Sequence, residues 1–287
     1  MRYHLSVFLL SAFALFSAGC SHEEVPFFSD TDEITRFVTS SADGRELFRT
    51  DSLMLGVDFT VVNGTGSYRD IVDSVTRTIG VEIEGPFDFG ALGQIKEAVA
   101  NVEDVFYVRT VRIDSIFAPV ISRTRLLQRY GYFLKLGDDS RPYLGWKLYG
   151  YNGFGATSAP LNVLVKTTDG NTSFIGDDRS LTNSAKDLGM QYIKIEDFGE
   201  IENGSTLLIE TTSLAPKRYY NLLSVASSAG FVTTPMSAVD STHHTVSLKM
   251  STTNSRFFDI MMIQTLKDSI PAGNLIKTWC IPFRVKQ

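Results

Sequence analysis

Tyr130-Gly131-Tyr132-Phe133-Leu134-Lys135-Leu136, Gly137-Asp138-Asp139-Ser140-Arg141-Pro142 and Tyr143-Leu144-Gly145-Trp146-Lys147-Leu148-Tyr149-Gly150-Tyr151 follow one another without a break. Two runs rich in aromatic and apolar residues flank a turn of Gly, Asp and Pro, and this predicts a β-hairpin. Successive side chains on a strand point to opposite faces. Tyr130, Tyr132 and Leu134 then share one face of the first strand. Tyr143, Lys147, Tyr149 and Tyr151 share one face of the second, while Leu144, Trp146 and Leu148 share the other. One face carries tyrosines and the opposite one reads as core. Tyr130, Tyr132, Tyr143, Trp146, Tyr149 and Tyr151 are therefore the candidate ligand-binding residues. Exposed rings stack on sugars or on a partner's side chains, and phenolic hydroxyls donate hydrogen bonds. The plainer reading is cross-strand aromatic pairing that stabilises the hairpin.

The pattern upstream is also mostly of strands. Leu53 to Val62 is apolar and β-branched and ends at the turn signal Asn63-Gly64. Val72 to Glu84 alternates along Val75, Arg77, Ile79, Val81 and Ile83, and Gly85-Pro86 is expected to close it. From Ala91 to Glu103 the apolar residues Leu92, Ile95, Ala98, Val99 and Val102 fall at three- and four-residue steps, which predicts a short helix. Alternation returns over Val105 to Ile113.

Downstream of the hairpin, Asn152 to Pro160 is rich in glycine and small residues and is the expected domain boundary. Beyond it, short strand candidates recur at Leu161–Thr167, Gln191–Ile195, Thr206–Thr211, Tyr219–Val225, Thr245–Met250, Phe257–Gln264 and Ile276–Val285. Short strands at such spacing between turns are the pattern of a β-sandwich, of which the immunoglobulin-like arrangement is one form. The Cys…Trp…Cys signature of antibody domains is absent from the sequence. The expected fold is mainly β with two β-rich domains, 46–155 carrying the short helix and 156–287 forming the sandwich.

At the start, Arg2 precedes an apolar run from Leu5 to Ala18, and Ser17-Ala18-Gly19-Cys20 follows. The run has the length of a signal-peptide core and is too short to span a bilayer. This stretch resembles the lipobox of bacterial lipoproteins. The resemblance implies a signal peptide over 1–19 and acyl chains, palmitate among them, on Cys20. Two or more chains give stable anchoring. Residues 20–45 would then be a lipidated tether, within which Asp30 to Val38 could form a short helix with acids in its first turn. Ser21 stands where an acidic residue favours inner-membrane retention in that family, which points to the outer membrane, periplasmic or surface face open. No later stretch is long and apolar enough for a transmembrane helix.

The net charge of -5 argues against binding a nucleic-acid backbone. With Cys20 lipidated, only Cys280 remains, in an apolar strand-like context that reads as a buried structural thiol. There is no HExxH, GxSxG or Walker A motif. His243-His244 lies beside Asp240, but adjacent strand residues face apart, so the pair reads as a solvated turn rather than a metal site. The loop carrying Asp169, Asn171, Ser173, Asp177 and Asp178 offers oxygen ligands at intervals, yet Phe174 replaces the glycine that an EF-hand loop needs. A calcium site of another type and a polar turn are its two readings, and no other cofactor is expected. Asp51-Ser52-Leu53, Asp73-Ser74-Val75, Asp114-Ser115-Ile116, Asp240-Ser241-Thr242 and Asp268-Ser269-Ile270 resemble an O-glycosylation sequon of the envelope of one Gram-negative phylum, with Ser52, Ser74, Ser115, Ser241 and Ser269 as acceptors. Asp-Ser is also a common entry turn to a strand.

The expected protein is a lipid-anchored, cell-envelope protein with a non-enzymatic binding or assembly role, whose partner is an envelope protein or a glycan. The alternatives are a polysaccharide hydrolase, which needs only two placed carboxylates, and a glycan-binding accessory lipoprotein.

Overall fold

Two short helices lead into the described part of the chain: α1 (Asp30–Ser40) and α2 (Ala42–Leu47). Ser29 caps α1 through a capping box with Asp32, satisfying two of the amides that a helix start leaves without partners. The computed structural model describes residues 28–50, 58–60, 67–113, 121–153, 161–167, 173–176, 183–185, 190–213, 219–227, 230–240, 242–250, 254–266 and 277–286.

The strands, in chain order, are β1 (Asp58–Thr60), β2 (Ser67–Asp88), β3 (Gln94–Arg112), β4 (Ile121–Lys135), β5 (Trp146–Asn152), β6 (Leu161–Thr167), β7 (Ser173–Gly176), β8 (Asn183–Ala185) and β9 (Met190–Lys194). They continue with β10 (Glu200–Glu202), β11 (Thr206–Ser213), β12 (Tyr219–Ser227), β13 (Gly230–Pro235), β14 (Ser237–Ala238), β15 (His243–Lys249), β16 (Phe257–Leu266) and β17 (Lys277–Lys286). The first sheet runs in the order β1-β2-β3-β4-β5-β9-β8, and all its pairings are antiparallel. Two five-stranded sheets make up the rest, β10-β17-β16-β12-β13 and β14-β15-β11-β6-β7. Leu207 and Ile209 of β11 and Ile281 and Phe283 of β17 enter one buried cluster, so these two sheets share a core as a β-sandwich does. The mainly β expectation holds.

Four details differ from expectation. Ala91–Glu103 is not a helix: a short turn of 3-10 helix at Gly90–Leu92 leads straight into β3. β3 is central, and Glu97, Ala98, Val99 and Ala100 are all buried, which erases the two-residue alternation locally. The helical part lies instead in the stretch read as tether. Ile34, Phe37 and Val38 of α1 and Leu47 of α2 are core residues, so residues from Asp30 onward belong to the fold. β2 does not stop at Gly85-Pro86 but continues to Asp88 through a register shift between Glu84 and Phe87. Finally, the boundary expected at 155/156 does not separate the pairing. β9 joins the first sheet beside β5, and one buried cluster runs from Ile34 to Val285.

Two charged networks anchor the helices and the far end of the first sheet. Asp104, fully buried, accepts from Arg129 at 2.5 Å and from Arg77 at 2.7 Å. Both arginines also donate to carbonyls at the end of α2: Arg129 to Leu47, Phe48 and Arg49, and Arg77 to Phe48. They thereby satisfy carbonyls that a helix C-terminus leaves open. Asp70 is buried with Arg125 and with the hydroxyl of Thr110.

Candidate functional site

The β4–β5 hairpin forms as expected, but its rings do not share a face. Tyr132 pairs with Gly150 and Phe133 with Leu148, so Tyr149 is an extra residue in β5. Such a bulge reverses the side-chain alternation beyond it. Trp146, Leu148 and Tyr151 consequently face the helices, with Trp146 and Tyr151 buried. The Tyr151 hydroxyl donates to the Leu47 carbonyl at 3.2 Å, and its ring meets Phe48 edge-on. Tyr130, Tyr132 and Tyr149 lie on the opposite face. There the Tyr132 ring stacks on Tyr192 at 4.4 Å, with Tyr149 edge-on to both and Lys194 5.7 Å from the centre of the Tyr149 ring. Burial, the hydroxyl's contact with Glu97 and that carboxylate's charge push the Tyr132 pKa well up. Burial with the Tyr149 and Glu97 charges raises that of Tyr192 to about 12. Tyr132 is 2 % exposed, so the six rings form no exposed platform.

Tyr143 is not on the strand at all. Pro142–Gly145 is a turn of 3-10 helix in which Tyr143 and Leu144 have φ of 57° and 50°. Bulky residues seldom adopt that left-handed conformation, which costs about 1–3 kcal/mol each and persists only where neighbours hold it. Here the neighbours are on α1. Phe37 meets the Tyr143 ring edge-on at 5.0 Å, and the Arg36 guanidinium sits 4.6 Å over it. Gly145 closes the turn with φ 77°, and its carbonyl accepts from the amides of Leu136 and Gly137.

This turn borders an open groove of about 890 Å³. Phe37, Ile95, Tyr143 and Trp146 supply apolar and aromatic lining, and Lys135, Arg141 and Lys147 supply cations. Asp30, at the start of α1, anchors one side. It accepts from Lys135 at 2.8 Å, Lys96 at 3.0 Å and the Trp146 indole at 3.0 Å. Burial pushes the Asp30 pKa up, but these donors outweigh it and hold the carboxyl at about 2. Asp138 is held below its ordinary range by the hydroxyl and amide of Ser140. Neither carboxylate is a proton donor at neutral pH.

Tyr143 and Trp146, expected on the strand's two faces, are the hairpin aromatics that reach this groove. Phe37, Lys135 and Arg141 were missed as site residues. Ile34, Phe37 and Val38 at helical spacing were the available signal, since such a stripe needs a surface to cover.

Of the other expected sites, Cys20, Ser52, Ser115, Ser241 and Ser269 lie outside the described residues, as do Asp169, Asn171, Asp177 and Asp178. Ser173 begins β7, where the calcium-loop reading needed a loop. Ser74 is exposed in mid-strand on β2, beside Asp73, which holds Arg109 at 2.6 Å. His243 is exposed and bonded to Asp240, His244 is buried, and the two face apart. Cys280 is buried in β17. Among the described residues no group of His, Cys, Asp and Glu is placed to hold a metal ion, and no helix is long and apolar enough to cross a membrane. Comparison with protein-family models, with curated proteins and with solved structures finds no match for this chain.

Proposed function

We propose that this chain is a lipid-anchored protein of the cell envelope with a non-enzymatic binding role, and that the groove at the β4–β5 turn is its binding surface. The observation that carries the reading is the left-handed backbone at Tyr143 and Leu144, imposed by α1 at the edge of the groove. Strain of this kind concentrates at ligand clamps and other working sites. The aromatic lining offers stacking area, and Arg141 and Lys147 offer donors to an oxygen-rich or anionic ligand. The hydrolase alternative gains no support here, because Asp30 is engaged by Lys96, Lys135 and Trp146 and Asp138 by Ser140, each with its pKa lowered. Hydrolysis of a glycosidic bond needs one of the two carboxyls protonated.

The test is a crosslinked pull-down of the native protein from its own membranes, read by mass spectrometry. Acyl chains on Cys20 and crosslinks, to an envelope protein or to lipid, that fall at Arg141 or Lys147 are the expected result. An unmodified Cys20, or crosslinks that avoid the groove, would sink the reading.

A further inference from the structure

One end of the first sheet gathers exposed apolar side chains and cations. The β2–β3 and β4–β5 turns both lie there, since Asp88 pairs with Gln94 and Lys135 with Trp146. Leu92 is 66 % exposed in the first turn and Leu136 is 42 % exposed in the second, and both line the groove. Phe28, two residues before Asp30, is 46 % exposed. Arg141 and Lys147 are exposed on the groove, and Lys96 reaches out beside Asp30. Of the acids at this end, Asp30 pairs with Lys96 and Lys135 and Asp139 with the same Lys135, while Asp138 bonds to Ser140, Asp88 to the Gly90 amide and Asp32 to Ser29, so acids and cations are close to balanced. Arg141 and Lys147, exposed beside Leu92 and Leu136, are the cations of this end that lie outside the ion pairs of Asp30 and Asp139.

The path back to Cys20 fixes which way this end points. Asp30 is tied to Lys96, Lys135 and Trp146, so the first turn of α1 is fastened at the groove. Eight residues lie between Cys20 and Ser29, and fully extended the nine steps span on the order of 30 Å. A globular chain of this size has a radius of gyration of roughly 19 Å, hence a diameter on the order of 45–50 Å. A tether shorter than the body keeps the end it enters turned toward its anchor.

We infer that this end of the first sheet rests on the bilayer, with Phe28, Leu92 and Leu136 entering the boundary between headgroups and acyl chains while Arg141 and Lys147 meet the phosphates of lipid headgroups. The inference rests on the proposed lipidation of Cys20. It makes this end of the sheet a second membrane signal beside the acyl chains and opens the groove onto the headgroup layer. The ligand of the groove is then a membrane-borne anion, the lipid headgroup itself.

The experiment uses the full lipidated chain, reconstituted into vesicles of phosphatidylcholine and phosphatidylglycerol that carry doxyl-labelled lipid. An environment-sensitive fluorophore is attached at Leu92→Cys, Leu136→Cys or Val239→Cys in separate preparations. Val239 is 67 % exposed and outside this end, and Cys280 is fully buried and takes no label. Severalfold stronger quenching at 92 and 136 than at 239 is expected, and equal quenching at all three overturns the inference. Arg141→Glu with Lys147→Glu should cut the difference about twofold or more, since each cation near an anionic surface contributes roughly 1 kcal/mol. An unchanged difference, with circular dichroism confirming the fold, overturns the role of the cations. The mass of the N-terminal peptide from the same preparation separates the two readings. Acyl chains present with equal quenching overturn the surface alone, and acyl chains absent overturn the anchor together with the orienting tether.

Discussion

Asp104 and Asp30 show two ways in which one carboxylate can fasten helix to sheet. Asp104 and Arg129 are both without solvent exposure, so each depends on the other for its charge to be tolerable. Asp104→Ala leaves Arg129 buried with carbonyls alone, and we expect a loss of about 3–5 kcal/mol in urea unfolding. A loss below about 1 kcal/mol would mean that the carbonyls of Leu47, Phe48 and Arg49 suffice to hold the arginines. Asp30 is partly exposed, and its test is pH. Its folded pKa of about 2 lies below the 3.8 of an ordinary aspartate, so its contribution is full above the ordinary carboxylate range. That contribution is lost as pH falls from about 4 to about 2. Asp30→Asn should therefore lower the melting temperature at neutral pH, and the gap to the parent protein should close across that window. A gap that is constant with pH would show that the carboxylate's charge is not what holds α1.

At the scale of elements, the two hardest stretches to read were β3 and β5, and each failed for a physical reason. β3 is buried on both faces, with Ala98 and Val102 in the main core and Ile95 and Val99 in the smaller cluster. An apolar run buried on both sides carries no strict alternation, and its three- and four-residue steps imitate a helix. Unbroken alternation in β5 puts Tyr149 and Tyr151 on one face, but the bulge at Tyr149 places Tyr151 on the other. Most of the remaining strands were legible because turn residues bound them. The groove was not, because its walls come from α1, from the β2–β3 turn and from the hairpin, segments far apart in the chain. The turn itself offers a sharp test at Gly145, where an added Cβ would sit 2.2 Å from the Gly137 carbonyl oxygen. Gly145→Ala should cost about 1–3 kcal/mol in denaturant unfolding and should abolish ligand or vesicle contact at Arg141. Unaltered stability would mean that the turn relaxes freely and that Tyr143 is not held by its neighbours.

For the whole molecule, the contacts that cross from the first half to the second predict how it melts. Gly153 accepts from the Cys280 amide at 3.0 Å, and Glu46 on α2 accepts from the amides of Arg256 and Phe257. With a single buried cluster joining them, the halves should unfold together. Calorimetry should give one transition, and the Cys280 thiol should become reactive at that same temperature. Two transitions, with thiol exposure tracking only one of them, would show two independent folding units. Gly153→Ala should lower the transition, because an added Cβ would lie 2.3 Å from the Cys280 carbonyl oxygen.

The order β10-β17-β16-β12-β13 puts β17, the last described strand in the chain, inside its sheet. β10, made some seventy-five residues earlier, pairs in parallel with β17. A ribosome delivers the chain from its N-terminus, so β10 and β16 must wait with open edges until β17 arrives. Completion of this sheet therefore waits for the last described strand, and a message cut short before Lys277 would leave β10 without the strand that joins it to β16.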